Sequence, residues 1–144
     1  ILLKKEQNKN MKITETLPIL LQKVCAGFPS PATDYLEEEI NLNEELITNK
    51  ASTFLIRVSG NSMEQEHIYD GDVLIVDKSL NIVNNSIAVL NYQGQLVVKK
   101  VIKKNNKFFL ISKFSRQNNF IEIMEDNETE VWGIVTYVIH KVKK

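Results

Sequence analysis

The sequence has little of what metal, disulfide and phosphate sites are made from. A single cysteine, Cys25, in 144 residues excludes an internal disulfide and suits a reducing compartment. The two histidines, His67 and His140, are far apart and have no Cys or His at ligand spacing, so no metal centre is expected. Five unclustered glycines supply no phosphate-cradling loop. No apolar run approaches the roughly 20 residues of a membrane-spanning helix, and nothing resembles a signal peptide. An excess of one charge is missing as well: 18 Lys and Arg face 18 Asp and Glu. Direct sequence-specific DNA binding and membrane-surface binding both call for a basic excess, and neither is expected here. These absences describe a soluble, cytoplasmic protein that needs no cofactor.

Core-forming residues are plentiful. Apolar residues make up 43% of the chain and charged residues 25%, ordinary values for a globular protein, and the length suits one domain. Residues 1–10, rich in Lys, Asn and Gln, are read as a leader outside the fold. Lys12 to Thr33 contains Gly27, Pro29 and Pro31 close together, which neither a helix nor a central strand accommodates. Residues 1–33 are therefore expected to be a flexible N-terminal arm, with the folded domain occupying 34–144. Asp34 offers an N-cap, and Leu36 and Ile40 share a helical face, which predicts a short helix there. Asn41 or Asn43 can cap a second one through Leu46 and Ile47.

Beyond that point the pattern is strand. Thr53–Ser59, Asp72–Asp77, Ser86–Tyr92, Gln95–Ile102, Lys107–Ser112, Asn119–Ile123 and Val131–Ile139 are rich in Val, Ile, Phe and Tyr. They are separated by turn signals such as Asp70-Gly71, Gln93-Gly94 and Asn105-Asn106. The expected fold class is mainly β: a compact antiparallel β body, one or two short N-terminal helices and an extended arm. The last strand, with Val131, Trp132, Ile134, Val135, Val138 and Ile139, is the most apolar, and a contribution to a subunit interface is expected of it.

Most candidate sites dissolve on inspection. Tyr69-Asp70-Gly71-Asp72 lacks the remaining ligands of a calcium loop and reads as a turn. Glu122, Glu125, Asp126, Glu128 and Glu130 read as a solvated edge. A Ser-His-Asp triad has weak support with only two histidines, neither near a serine in sequence. One constellation is left. Ser59-Gly60-Asn61-Ser62-Met63 closes a strand with a turn of small residues, and Val97-Val98-Lys99-Lys100-Val101 sets two lysines inside an apolar strand. Alternation sends the two lysines to opposite faces. The plain reading is a one-sided sheet with a snorkelling lysine. The functional reading is a serine nucleophile with a desolvated, neutral lysine as its base, leaving the other lysine charged and solvated.

Taken in order, Ala26-Gly27-Phe28-Pro29-Ser30-Pro31, Ser59-Gly60-Asn61-Ser62-Met63, Asp70-Gly71-Asp72 and Val98-Lys99-Lys100-Val101 resemble the UmuD and LexA family of self-cleaving SOS-response serine proteases. The likeness runs from about Cys25 to the end, and Gly27-Phe28-Pro29-Ser30-Pro31 draws it toward the UmuD branch. The resemblance implies Ser62 as nucleophile and Lys99 as general base. It also implies the backbone N–H groups of Asn61 and Ser62 as oxyanion hole and Ala26-Gly27 as the scissile bond. For partners it implies a homodimer, activation by the RecA–single-stranded-DNA filament, and a UmuC-type translesion polymerase served by the cleaved form in error-prone repair of DNA damage. Two other readings are a non-catalytic dimeric module that docks a polymerase, and a truncated regulatory domain of the LexA or phage-repressor type. A signal-peptidase-like enzyme shares the Ser/Lys chemistry but calls for a membrane anchor. The 25 or so residues ahead of Ala26 are too few for the DNA-binding domain of a LexA-type repressor.

Overall fold

The computed structural model describes residues 15–21, 23–24, 26–27, 37–114, 117–124 and 129–142. They fall into two compact units that divide between Leu46 and Ile47, and each is described by itself. Cys25, Asp34 and Leu36 lie outside the described residues.

In the first unit, β1 (Leu17–Leu20) pairs antiparallel with β2 (Glu37–Ile40). This corrects the helix that the spacing of Leu36 and Ile40 predicts. Leu17 stands opposite Ile40 and Ile19 opposite Glu38. A helix of one or two turns carries the whole cost of nucleation for few hydrogen bonds, whereas a ready partner strand satisfies the same backbone groups. The second expected helix is present as α1 (Leu42–Leu46). Asn41 caps it, its Oδ1 accepting the N–H groups of Asn43 at 3.0 Å and Glu44 at 3.3 Å.

The second unit holds all seven strands expected from the sequence: β3 (Thr53–Arg57), β4 (Val73–Asp77), β5 (Ile87–Tyr92), β6 (Gln95–Lys104), β7 (Lys107–Phe114), β8 (Gln117–Glu122) and β9 (Thr129–Ile139). They form one antiparallel sheet in the order β3-β4-β9-β5-β6-β7-β8. The β5–β6 and β6–β7 connections are two-residue hairpins. Gln93 and Gly94 in the first, and Asn105 and Asn106 in the second, all take positive φ. Two successive left-handed residues give the turn whose twist matches that of the flanking strands.

The sheet buries both faces. On β5, Val89 packs with Met63, Ile68, Leu74 and Val76, while Ala88 and Leu90 pack with Val101, Leu110 and Ile134 on the other side. Strand alternation thus produces two cores from one sheet.

β9, last in the chain, lies in the middle of the order, hydrogen-bonded to β4 on one edge and β5 on the other. Its edges are therefore occupied within the sheet, and its first half is core. Toward its end Tyr137, Val138 and Ile139 are exposed. Its register slips by one residue against each neighbour, between Val89 and Leu90 on β5 and between Ile75 and Val76 on β4. Such bulges bend and twist a strand. Gly133 sits between the two slips and is buried, and no side chain fits there, since a Cβ would lie 2.6 Å from Val76 Cγ1.

Asp77, buried at the end of β4, gathers the chain around it. Its carboxylate accepts hydrogen bonds from the Ser79 hydroxyl (2.6 Å), the Ser79 N–H (2.8 Å), the Ser52 hydroxyl (2.8 Å) and the Asn49 amide (3.1 Å). The Ser79 hydroxyl, then the Ser79 N–H, pull its pKa down most; burial opposes them, and Ser52 and Asn49 add to the lowering, which brings it from 3.8 to about 2. Among the described residues no helix is long and apolar enough to cross a membrane.

Two outcomes follow. Gly133→Ala should lower stability in urea unfolding by about 1–3 kcal/mol, the usual cost of overpacking a filled core. Because the folded pKa of Asp77 lies below its ordinary value, its contribution to stability is complete above pH 3.8 and is lost as pH falls toward about 2. Asp77→Asn should remove that part of the acid dependence in melts recorded across this window, and an unchanged profile would assign the acid sensitivity elsewhere.

Candidate active site

The site is built where β3 runs out. After Arg57 the chain turns through Val58 to Met63, and the direction of the turn is set by what is buried. Met63 is only 7% exposed and packs in the core with Ile68, Leu74, Val76 and Val89, while Ser62 immediately before it is exposed. A single 3-10 turn, Glu64–Glu66, follows. It is closed by the Glu66 N–H donating to the Met63 carbonyl at 2.9 Å and by the Ile68 N–H donating to the same oxygen at 3.2 Å. His67 ends it in the left-handed region, with φ 60°.

A second turn braces the first. Asp70-Gly71-Asp72 is the turn the sequence predicts, and it carries three contacts to the segment leading into Ser62. The Gly60 N–H donates to Asp70 Oδ1 at 2.8 Å, the Gly71 N–H to the Val58 carbonyl at 2.9 Å, and the Val58 N–H to the Asp72 carbonyl at 2.8 Å. Arg57 adds a bond from its guanidinium to the Gly71 carbonyl at 3.0 Å. Gly60 has φ 98°, a conformation in which a side chain would be strained.

Asp72 is in turn fixed from behind. Its carboxylate accepts the Tyr69 N–H at 2.9 Å and meets His140 Nδ1 at 2.6 Å. Burial alone would raise the Asp72 pKa. The hydrogen bond with His140, the Tyr69 N–H and the charge of a protonated His140 together outweigh burial and hold the carboxyl below its usual range. His140, 78 residues from Ser62, thus belongs to the support of the site, a role that neither its spacing nor its surroundings in sequence signal.

β6 forms the other wall. β7 accompanies it only from Lys100 to Lys104, so the stretch from Gln95 to Lys99 pairs with β5 alone. A cleft of about 280 Å³ lies between this stretch and the turn, lined by Arg57, Gly60, Ser62, Met63, Val98 and Lys99 among others. A second, of about 190 Å³, is bounded by Ser62, Glu66, Lys99, Lys100 and Ile111. Ser62 and Lys99, 37 positions apart in sequence, therefore share both hollows.

Lys99 stands opposite Ala88, and Lys100 opposite Ile87 and Ile111, so the two lysines occupy opposite faces of β6 as alternation requires. Lys100 does not stand free in solvent, contrary to expectation. Its side chain is 30% exposed and its ammonium lies 3.3 Å from both carboxylate oxygens of Glu66. The reason is the 3-10 turn, which delivers a carboxylate to that point of β6.

Among the described residues, hydrogen bonds of the turn use the N–H groups of Gly60 and Glu64 and leave those of Asn61 and Ser62 without a protein acceptor. Two adjacent free N–H groups beside a hydroxyl are what an oxyanion requires. Ala26 and Gly27 lie in the first unit and are exposed, Gly27 with φ 123°.

The chain belongs to the Peptidase S24-like family, whose model matches residues 18–136. Within that class it is similar to the MucA protein of Salmonella typhimurium, 38% identical over 123 residues that cover 85% of this chain and 83% of MucA. ImpA of Shigella flexneri is 34% identical over 127 residues, covering 88% and 86% of the two chains. The LexA repressor of Glaesserella parasuis is 31% identical over 125 residues, covering 87% of this chain and 59% of the repressor. The mainly β, antiparallel architecture is compatible with that family.

The brace can be tested without reference to activity. Asp70→Ala removes the acceptor of the Gly60 N–H, so amide hydrogen exchange at Gly60 and its neighbours should speed up while core amides of β4 and β5 keep their protection. Equal acceleration throughout the sheet would show that Asp70 supports the fold rather than the turn.

Proposed function

We propose that this protein is a UmuD-like self-cleaving serine protease of the SOS response, cutting its own chain between Ala26 and Gly27. The observation that carries this reading is the cleft lined jointly by Ser62 and Lys99, in a chain of a peptidase family. Ser62 Oγ attacks the Ala26 carbonyl carbon while the neutral Lys99 amine takes the hydroxyl proton. The oxyanion so formed accepts hydrogen bonds from the Asn61 and Ser62 N–H groups. Collapse of the intermediate expels the Gly27 amine, which receives the proton from Lys99. Water, deprotonated by the same lysine, then releases the acyl group as the Ala26 carboxylate. Small residues on both sides of the bond let an extended segment lie flat against the serine.

The same reading makes the protein a homodimer activated by the RecA–single-stranded-DNA filament. Its processed form then works with a UmuC-type polymerase in error-prone synthesis across damaged DNA. The cytoplasm is where all these partners meet.

Incubation of the full chain with RecA filaments, followed by intact mass and N-terminal sequencing, should give a product that begins at Gly27. Ser62→Ala and Lys99→Ala should each abolish it. Cleavage that survives Ser62→Ala, or a product with another first residue, contradicts the proposal.

A further inference from the structure

Glu66 and Lys100 are 34 positions apart, on two elements that share no backbone hydrogen bond among those described, yet they meet at the edge of the hollow that Ser62 and Lys99 share. Both carboxylate oxygens lie at 3.3 Å from the ammonium, so the cation is centred on the carboxylate rather than hung from one oxygen. Each side chain is 30% exposed and Ile111 lies beside them, so the pair is screened less than one in open water. What makes the pair consequential is its attachment. The Glu66 N–H donates to the carbonyl of Met63, Met63 is buried in the core, and Ser62 is the next residue along. At the other end Lys100 is the immediate neighbour of Lys99 on β6, at the point where β7 begins to pair.

We infer that the Glu66–Lys100 ion pair is a positioning clamp that holds the turn bearing Ser62 against β6 at Lys99. This rests on the proposed roles of Ser62 and Lys99. The turn then has two tethers: Asp70 holds the Gly60 side and Lys100 holds the Glu66 side. Neither Glu66 nor Lys100 touches the reacting atoms, and both act through their neighbours. Arg57, Glu66, Lys99 and Lys100 are the charged groups that line the two hollows. Arg57 is engaged with the Gly71 carbonyl, and of the two lysines it is Lys100 whose ammonium lies within ion-pair distance of Glu66 among the described residues.

The test uses the full chain with Glu66→Gln, Lys100→Gln and the double exchange Glu66→Lys with Lys100→Glu. Two rates are read: self-cleavage by intact mass, and labelling of Ser62 by a small fluorophosphonate, which does not depend on the arm. Each single variant should slow both rates roughly three- to fivefold, what a half-exposed pair of up to about 1 kcal/mol supports. The double exchange should recover most of the loss. Raising the salt concentration should slow the wild type and leave the single variants unaffected, because only the wild type has a pair to screen. Thermal melting of all three variants checks that they are folded at the temperature of the assay. Single variants that label and cleave at the wild-type rate, or a double exchange as slow as the singles, overturn the clamp. Ser62→Ala separates the two claims. If it still cleaves, the protease reading fails and the clamp with it. If it is inert while the clamp variants are unimpaired, only the clamp fails.

Discussion

The thioether of Met63 lies in the core with Ile68, Leu74, Val76 and Val89, and a side chain held there fixes the backbone on both sides of it. Burying a residue of this size stabilises by about 1.5–3 kcal/mol, which exceeds anything the exposed turn residues contribute by themselves. The hydroxyl of Ser62 therefore need not be held by its own hydrogen bonds. Its direction follows from the neighbour that is packed. The 3-10 turn after Met63 and the Asp70 contact before it both refer back to this anchor. In the proposed reaction, a hydroxyl set beside a buried anchor is positioned before any substrate arrives, and that lowers the cost of reaching the reactive geometry.

The sheet supplies the second wall by being incomplete. Had β7 followed β6 along its whole length, the edge from Gln95 to Lys99 would be covered and no cleft would face the turn. Instead β7 departs at Lys100 and continues with β8. The central strand permits this arrangement. β9 joins the β3–β4 pair to the rest of the sheet, and its register slips once against each neighbour, which bends and twists the strand between them. Gly133 between the slips gives up a side chain so that Val76 can fill the core. Fold and site are coupled here, since Val76 and Met63 belong to the same cluster.

How much of this the sequence discloses depends on the range of the interaction. Seven strands are legible because alternation and turn residues act over a few positions, and Gln93-Gly94 and Asn105-Asn106 announce their own hairpins. The short helix capped by Asn41 is legible for the same reason. The stretch from Glu37 to Ile40 is not: its strand state is decided by Leu17–Leu20, some twenty positions away, while its local spacing favours a helix. At the site, Ser62 and Lys99 are readable as a pair only through the order of several weak motifs, since nothing local brings them together. The support of Asp72 by His140 and the clamp between Glu66 and Lys100 span 68 and 34 positions and carry no local mark.

The pairing of Lys100 also bears on why two adjacent lysines can behave differently in one strand. Glu66 meets the Lys100 ammonium at 3.3 Å and holds it on its own face of β6. Lys99, its neighbour, stands on the other face, opposite Ala88. Alternation assigns the two lysines to different faces, and the carboxylate delivered by the 3-10 turn gives Lys100 a partner there.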